Sequence, residues 1–481
     1  MEQHNSDQKS VTPYHMMIGG LIVWWCLSLL FFWNHMGDDA YIFFRYAEHL
    51  SVGEGLRWNV GLPTVEGFSS PLWVLCLGVG GIFVDIPIFA RWFGLLCLGG
   101  AFFELHRTMK PSWFTGCALL SLSLVMGLHY WGTAGLETPL YLWLLLVSLP
   151  LLSRSSVGFW NWVALGLLGI TRPEAPAIVC LVLCLRWFRF RTWSNKYLLA
   201  LAPMLGWQLY RLWYFGDWLP NTYWAKASGD LYGRLLSGWN YAGWLLIPLV
   251  IGIWKSTDKL VWIPSIALWS IVVVGGGDWM WHHRLLVPVL GIVVYLGWTV
   301  EGRWRYALVA SMIPYWIKPA MVWAVLGCVW TGKTLPTTEF QEGNLIVVSE
   351  RLADEIREVY PTDSLIAVNH AGVLPYFLSD YDFLDMSALN DRHLARLEGG
   401  LHQKFDAEYV LNQQPDLVVL NSFVDPKTDM GYQPNYWEGE TALFVHPRFK
   451  EEYVPIAKVW RRVRHGGGFA SIWLFQRRKG L

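Results

Sequence analysis

The chain has 481 residues, of which 54% are hydrophobic and 15% charged, and its formal net charge is zero. So apolar a composition is atypical of soluble domains, and the apolar residues fall in blocks of about 15–20, close to the length of a membrane helix. Without net positive charge, a nucleic-acid-binding protein lacks its electrostatic basis. We therefore expect a polytopic α-helical membrane protein.

The apolar blocks predict about eleven transmembrane helices. The first 15 residues are polar and lack a cleavage-site pattern, so they predict a cytoplasmic N-terminus followed by a retained helix at 16–34. A short apolar segment at 70–84 is interpreted as re-entrant, because the basic loops then all lie on one face, which the positive-inside rule makes cytoplasmic. The further predicted spans are 88–106, 113–128, 135–152, 157–171, 174–187, 197–215, 237–254, 260–275, 284–300 and 307–330.

This reading divides the chain into a transmembrane module at 16–334, with a first outer loop at 35–87, and a C-terminal region at 335–481. In the C-terminal region charge rises and long apolar runs stop. Strand-like stretches alternate with helical ones there, which predicts a soluble α/β domain on the outer, periplasmic face. The expected strands are 365–368, 417–420 and 470–475, and the expected helices are 347–360 and 404–413.

Two adjacent carboxylates, Asp38 and Asp39, follow the first span. Ionisable groups at the end of a membrane span usually mark a function, here a general base or a metal-binding carboxylate. The alternative is a helix N-cap, which needs one Asp and leaves the second unexplained. The two acids precede a predicted helix at 40–50, and Arg45 on this helix is expected to pair with a carboxylate or to hold an anionic ligand.

Further polar residues gather in the loops predicted to lie on the outer face. Arg172 is on the face where the positive-inside rule disfavours it, so we expect it to bind an anion. The amide and aromatic side chains at 221–226 suit a sugar, and the cations at 282–284 suit a phosphate. The alternatives are a loop surface position for Glu66, helix capping for Glu137, Arg172 and Glu174, an interfacial aromatic belt for 221–226 and a metal site for 278–284. The candidates are Glu66, Glu137, Arg172, Glu174, Asn221, Tyr223, Lys226, Asp278, His282, His283 and Arg284.

Paired acids, cations and aromatic platforms on one face are the components needed by an enzyme that takes a sugar from a lipid phosphate. A base deprotonates the acceptor hydroxyl as it attacks the anomeric carbon, and cations stabilise the departing phosphate.

The sequence also resembles the GT-C membrane glycosyltransferases. The resemblance rests on Asp38-Asp39-Ala40-Tyr41, on Val65-Glu66-Gly67, and on stretches at 135–138, 171–174, 219–226, 276–280 and 383–391. The branch that it resembles comprises terminal β-(1→2) arabinofuranosyltransferases and pilin arabinosyltransferases.

The resemblance implies a GT-C fold in a bacterial inner membrane and a polyprenyl-phosphate sugar donor. It implies inverting transfer on the periplasmic face to a cell-envelope glycan or glycoprotein. It also implies that Asp39 or Asp38 is the base, with a slight preference for Asp39. Phe43, Trp281-His282 and Ser387-Ala388 depart from the family pattern, which leaves the sugar, expected to be arabinofuranose, and the acceptor open.

Several alternatives remain. A GT-C enzyme of the same chemistry would instead move a hexose or aminoarabinose onto lipopolysaccharide. A transporter of lipid-linked sugars is disfavoured, because no internal repeat is visible and the polar residues crowd one face. A non-catalytic assembly or receptor role would not need the Asp pair. No cofactor is certain beyond the lipid-phosphate donor, and a divalent cation (Mg, Mn or Ca) beside the acids is left open.

Overall fold

The computed structural model describes residues 2–33, 36–109, 111–226, 230–278, 280–312, 341–400, 403–422, 431–434, 437–462 and 469–478. Most of the span predicted at 307–330 lies outside these residues, as does Trp279.

The described elements are helices up to residue 310 and a mixture of helices and strands from residue 341. The helices are α1 Glu2–Phe32, α2 Asp38–Ser51, α3 Pro71–Gly81, α4 Ile86–Thr108, α5 Trp113–Ser123, α6 Met126–Thr133, α7 Thr138–Ser148, α8 Pro150–Ser153, α9 Phe159–Leu168, α10 Ala175–Phe190, α11 Lys196–Tyr214, α12 Asn221–Lys226, α13 Leu231–Ala242, α14 Leu246–Lys255, α15 Ile263–Val274, α16 Val287–Leu296, α17 Trp304–Ala310, α18 Gln341–Val359, α19 Val373–Phe377, α20 Arg392–Ala395, α21 Ala407–Asn412, α22 Glu438–Val445 and α23 Pro447–Glu452. Short 3-10 helices cover Gly243–Leu245, Leu260–Trp262, Trp281–Leu286 and Gly297–Thr299. The strands are β1 Leu365–Val368, β2 Asp382–Asp385, β3 Leu417–Ser422, β4 Tyr453–Arg462 and β5 Phe469–Arg477.

Two helical segments within the described residues are long and apolar enough to cross a membrane, Ile86–Thr108 and Leu231–Lys255. A third crossing is added if α5 and α6, which meet at a bend of 59°, are counted as one broken span. Shorter apolar helices lie at Met16–Leu30, Pro71–Gly81, Thr138–Ser153, Phe159–Leu168 and Leu260–Val274, and the count of eleven spans stays a prediction.

The chain folds into two compact units. We call them the helical unit and the acid-bearing unit. The helical unit comprises 1–33, 90–207 and 230–334, and the acid-bearing unit comprises 34–89, 208–229 and 335–481. The predicted first outer loop therefore folds together with the C-terminal domain, although about 250 residues separate them in sequence.

The helical unit is built around α16. All ten residues of this helix are buried, and it packs against α5, α7, α14 and α15. A helix that is apolar on every side, as α16 is, has no face for water and therefore takes the centre of a bundle.

The acid-bearing unit contains a five-stranded mixed sheet in the order β2-β1-β3-β5-β4. The three strands predicted from sequence are present, and β2 and β4 are added to them. Strands β1, β2 and β3 run parallel, while β5 is antiparallel to β3 and β4. Leu420, Phe449 and Phe475 belong to the apolar core that covers one face of the sheet.

The edge strand β2 is covered by the loop that follows α2. The Asn59 side-chain amide donates to the carbonyl of Phe383 at 2.8 Å, and its oxygen accepts from the Phe383 N–H at 3.0 Å. One side chain thus imitates a pairing strand and satisfies an edge that would otherwise present free backbone groups. The loop and the sheet consequently form a single folded body.

Candidate functional site

The two acids lie in the first turn of α2, directly after Gly37, the residue at the N-cap position. Negative charge there is stabilised by the helix dipole, but neither Asp is the cap itself. Both side chains are half-buried. Asp38 Oδ1 accepts a hydrogen bond from the Val373 N–H at 2.9 Å, at the start of α19. The C-terminal domain therefore orients one carboxylate of the pair.

Gly372 makes this approach possible. A Cβ atom at this position would lie 2.0 Å from the Asp38 carbonyl oxygen and 2.7 Å from Oδ1. Any side chain there would push the two backbones apart, because such distances are far inside van der Waals contact. The segment before α19 is thus shaped to receive the acid pair.

Arg45 corrects an expectation. We predicted that it binds an anion, but its guanidinium is fully buried and donates to main-chain carbonyls. Nε donates to Trp58 O at 2.5 Å, Nη1 to Leu378 O at 3.0 Å and to Pro375 O, and Nη2 to Tyr381 O at 2.7 Å. Burial lowers the pKa of Arg45 to about 9, which leaves it protonated at neutral pH. Arg45 therefore fastens α2 to the C-terminal domain.

Glu66, expected to be an acid lining the cavity or a loop surface residue, is instead bound by Arg211. Arg211 Nε and Nη2 contact the two carboxylate oxygens at 2.5 Å and 3.1 Å, and Glu66 is only 3% exposed. Such a two-point pair neutralises the carboxylate and fixes its plane. Sequence reasoning missed Arg211, although a charge near the end of an apolar helix, three residues after Gln208, was the available signal.

The three candidates on α12 divide into one buried and two exposed residues. Asn221 Nδ2 lies 2.9–3.1 Å from three carbonyl oxygens, those of Ala388, Leu389 and Asp391. This amide therefore holds α12 on the C-terminal domain and does not face a sugar, which corrects its predicted role. Tyr223 is 46% exposed and Lys226 is exposed as well, so both can meet a ligand.

In the helical unit, the buried Glu137 and the half-buried Arg172 and Glu174 form one charged cluster. Arg172 Nη1 contacts Glu137 at 2.5 Å, and Nε contacts Glu174 at 2.5 Å. The guanidinium also lies over the ring of Tyr141, 5.7 Å from its centroid. The anion that Arg172 was expected to bind is therefore a pair of glutamates from its own chain.

Asp278 and Arg284 form another ion pair in this unit, at 3.0 Å. His282 and His283 lie between them in sequence with left-handed φ values of +57° and +53°, which non-glycine residues adopt rarely. The His282 ring packs on Tyr130 and the His283 ring on Tyr241, with centroids 4.8 Å and 5.1 Å apart. Strained backbone of this kind concentrates at functional sites.

Among the described residues, no group of three or more His, Cys, Asp or Glu side chains is placed to hold a metal ion. Mg²⁺ commonly uses one or two protein carboxylates together with substrate phosphates. Asp38 and Asp39 fit that mode in residue type, so a divalent cation beside them stays a prediction.

Comparison with known proteins gives two kinds of similarity. Residues 338–472 match a family model described as a domain of unknown function (DUF8728). A terminal β-(1→2)-arabinofuranosyltransferase of Corynebacterium glutamicum is 27% identical over 338 residues, an alignment that covers 54% of this chain and 47% of the relative. The chain thus spans about half the length of the curated relative that it matches.

Solved structures show the fold. ArnT from Cupriavidus metallidurans in the apo state superposes with a TM-score of 0.52 at 13% identity, covering 95% of this chain and 97% of ArnT. The same protein bound to undecaprenyl phosphate gives a TM-score of 0.50 with equal coverage. The chain therefore has the GT-C fold of ArnT and resembles an arabinofuranosyltransferase in sequence.

Proposed function

We propose that the chain is an inverting glycosyltransferase. It moves a sugar, arabinofuranose in our proposal, from a polyprenyl phosphate to a cell-envelope glycan or glycoprotein on the non-cytoplasmic face of the membrane. The observation that carries this proposal is the acid pair on the first turn of α2, which the Asp38–Val373 hydrogen bond and the Arg45 contacts hold in place.

The proposed reaction is a single displacement. A carboxylate of the pair takes the proton of the acceptor hydroxyl, and the oxygen attacks the anomeric carbon as the bond from that carbon to the phosphate oxygen breaks. The electron pair leaves with the lipid phosphate. We assign an orienting role to Asp38, whose Oδ1 accepts the Val373 N–H, and we propose Asp39 as the base, as the resemblance implies.

The other candidates keep narrower roles. Tyr223 and Lys226 are proposed to contact a sugar, since both are exposed on α12. His282, His283 and Arg284 are proposed to contact a phosphate, although Asp278 already pairs with Arg284. Arg172 is left out of this role because two carboxylates neutralise it.

The comparisons support the donor and the sugar class. ArnT has been solved with undecaprenyl phosphate bound, and the similar Corynebacterium protein is an arabinofuranosyltransferase. Both facts concern those proteins. They favour a polyprenyl-phosphate arabinose as the first donor to test here.

The test uses purified wild-type, Asp39→Asn and Asp38→Asn proteins. Each is incubated with radiolabelled decaprenyl-phosphoryl arabinose and an envelope glycan extract, with and without EDTA. We expect transfer by the wild type and a loss of about 10²–10⁴-fold for Asp39→Asn, the usual contribution of a general base. Equal transfer by wild type and Asp39→Asn moves the base to Asp38. A loss on EDTA treatment, reversed by added Mg²⁺, identifies a cation requirement.

A further inference from the structure

A buried polar chain links the C-terminal domain to residues 65–67. Its hub is the Asp385 carboxylate at the end of β2, which is 1% exposed. Oδ1 accepts from the Ser387 N–H at 2.8 Å and from the Ser387 hydroxyl at 2.5 Å. Oδ2 accepts from the Asn390 N–H at 2.7 Å and from Asn390 Nδ2 at 2.9 Å. The four bonds fix the Asp385 carboxylate, and the one from Nδ2 orients the Asn390 amide.

The oriented Asn390 amide in turn forms a hydrogen bond with Tyr46 of α2. The Tyr46 hydroxyl lies 3.0 Å from Asn390 Oδ1 and 2.7 Å from Val65 O, and its proton serves these two acceptors. The same hydroxyl oxygen accepts the Gly67 N–H at 3.0 Å. One phenol therefore fixes Val65 and Gly67 on either side of Glu66.

Gly67 cannot carry a side chain in this arrangement. A Cβ atom there would lie 1.7 Å from Asn390 Oδ1 and 2.9 Å from the Tyr46 hydroxyl. The glycine of Val65-Glu66-Gly67 is thus explained by the close approach of Asn390, a residue more than 300 positions away. The neighbouring Glu66 carbonyl accepts the Asn221 N–H at 2.9 Å, so residues 65–67 also anchor α12.

Burying a carboxylate opposes folding even when it is hydrogen-bonded, and apolar residues of similar volume often stabilise as well or better. A carboxylate with four donors is therefore better explained by the geometry that it imposes than by stability. Asp385, Asn390 and Tyr46 are all buried, so they act through other residues and do not meet a substrate.

We propose that Asn390, held by Asp385, is a positioning residue for sugar transfer: through Tyr46 it sets the spacing between the acid-bearing helix α2 and residues 65–67. This inference rests on the proposed function. The acids lie on α2 with Tyr46, and α12, with its exposed Tyr223 and Lys226, is bonded to the Glu66 carbonyl. A displacement of about 1 Å at such a joint is enough to lower turnover about 10²-fold.

Tyr46→Phe is the most conservative test, because only the hydroxyl is lost. The ring keeps its edge-to-face contact with Phe68, whose centroid lies 4.8 Å from that of Tyr46. The matched control is Tyr453→Phe, which also removes one buried hydroxyl, bonded to Pro415 O at 2.8 Å on the far strand β4. We expect Tyr46→Phe to lower kcat about 10- to 100-fold with KM for the lipid donor within about twofold. The control keeps the wild-type kcat.

A double-mutant cycle distinguishes positioning from a general loss of stability. Asn390→Ala and Tyr46→Phe interrupt the same chain, so their effects on kcat should be strongly non-additive. Fully additive effects, or a Tyr46→Phe kcat equal to that of the control, overturn the positioning role alone. If Tyr46→Phe does not fold, Asn390→Ala with wild-type kcat overturns it equally. Wild-type protein that transfers no lipid-linked sugar refutes the transferase, and this role with it.

Discussion

Replacing Arg45 by methionine removes five hydrogen bonds from the interior of the acid-bearing unit while keeping most of the side-chain volume. Leu378 O retains the bond from the Tyr381 N–H. The carbonyls of Trp58, Pro375 and Tyr381 each lose the guanidinium as donor. A buried polar group deprived of its partner costs about 1–3 kcal/mol, so for three carbonyls we expect a destabilisation of about 3–9 kcal/mol.

The assay is thermal unfolding of the purified protein, combined with trypsin cleavage to follow release of the C-terminal domain. A loss of this size is a large part of the 5–15 kcal/mol that typically separates folded from unfolded domains. Arg45→Met should therefore melt many degrees lower and expose the C-terminal domain to cleavage. The melting temperature of Arg45→Lys should lie between those of the wild type and Arg45→Met, because an ammonium keeps the charge but does not reproduce the planar, forked guanidinium.

Arg57→Met is the control, because Arg57 lies on the loop that follows α2 and its side chain makes one exposed hydrogen bond, to Val60 O at 3.2 Å. Its melting temperature should stay close to that of the wild type. The reasoning is refuted if Arg45→Met melts like Arg57→Met. A stable Arg45→Met protein that no longer binds the lipid-phosphate donor would restore the anion-binding role predicted from sequence.

Three further predictions follow from buried charges. Glu66→Gln leaves the Arg211 guanidinium without its carboxylate and should cost about 3–5 kcal/mol, seen as a lower melting temperature that Glu66→Gln with Arg211→Met partly restores. Arg172→Met leaves the buried Glu137 and the half-buried Glu174 without their cation and should destabilise more than Glu174→Gln, which leaves the Glu137 contact. Burial raises the pKa of Asp385 to about 6, against about 4 in an unfolded chain. The folded protein then binds this proton more tightly, so the contribution to stability, about 3 kcal/mol, is present below pH about 4 and lost as the pH rises through about 6. Asp385→Asn should flatten the dependence of the melting temperature on pH in that window, and an unchanged slope would contradict the assignment.

Local patterns in the sequence predicted the elements well. Apolar runs predicted most helices to within a few residues, such as 260–275 against Leu260–Val274, and short strand-like apolar stretches predicted β1, β3 and β5. Two strands were missed for physical reasons. Strand β2 has four residues and begins and ends with Asp, and β4 mixes charged residues with Pro455 at a sheet edge, where neither a buried run nor clean alternation is required.

The partners of the candidate residues could not be predicted in the same way. Arg45 and Arg172 were both predicted to bind an anion, because a sequence shows the charge of a side chain but not which groups lie near it in the fold. Arg172 contacts glutamates 35 and 2 residues away, whereas three of the four carbonyl oxygens that Arg45 contacts lie more than 300 residues away. Every residue has a backbone carbonyl, so the sequence does not show which carbonyls surround a buried cation. Only the structure identifies them.

The distance between Arg45 and its acceptors also sets an order of events during synthesis. Tyr381 follows Arg45 by 336 positions, and ribosomes add about 5–20 residues per second. The acid-bearing helix α2 is therefore synthesised about 20–70 s before the carbonyls of Pro375, Leu378 and Tyr381, which accept hydrogen bonds from Arg45. During that interval the helical segments between can enter the membrane, while the acids stay unassembled. The proposed catalytic centre is thus completed late, and a nascent chain that stops before residues 375–390 has no means of building it.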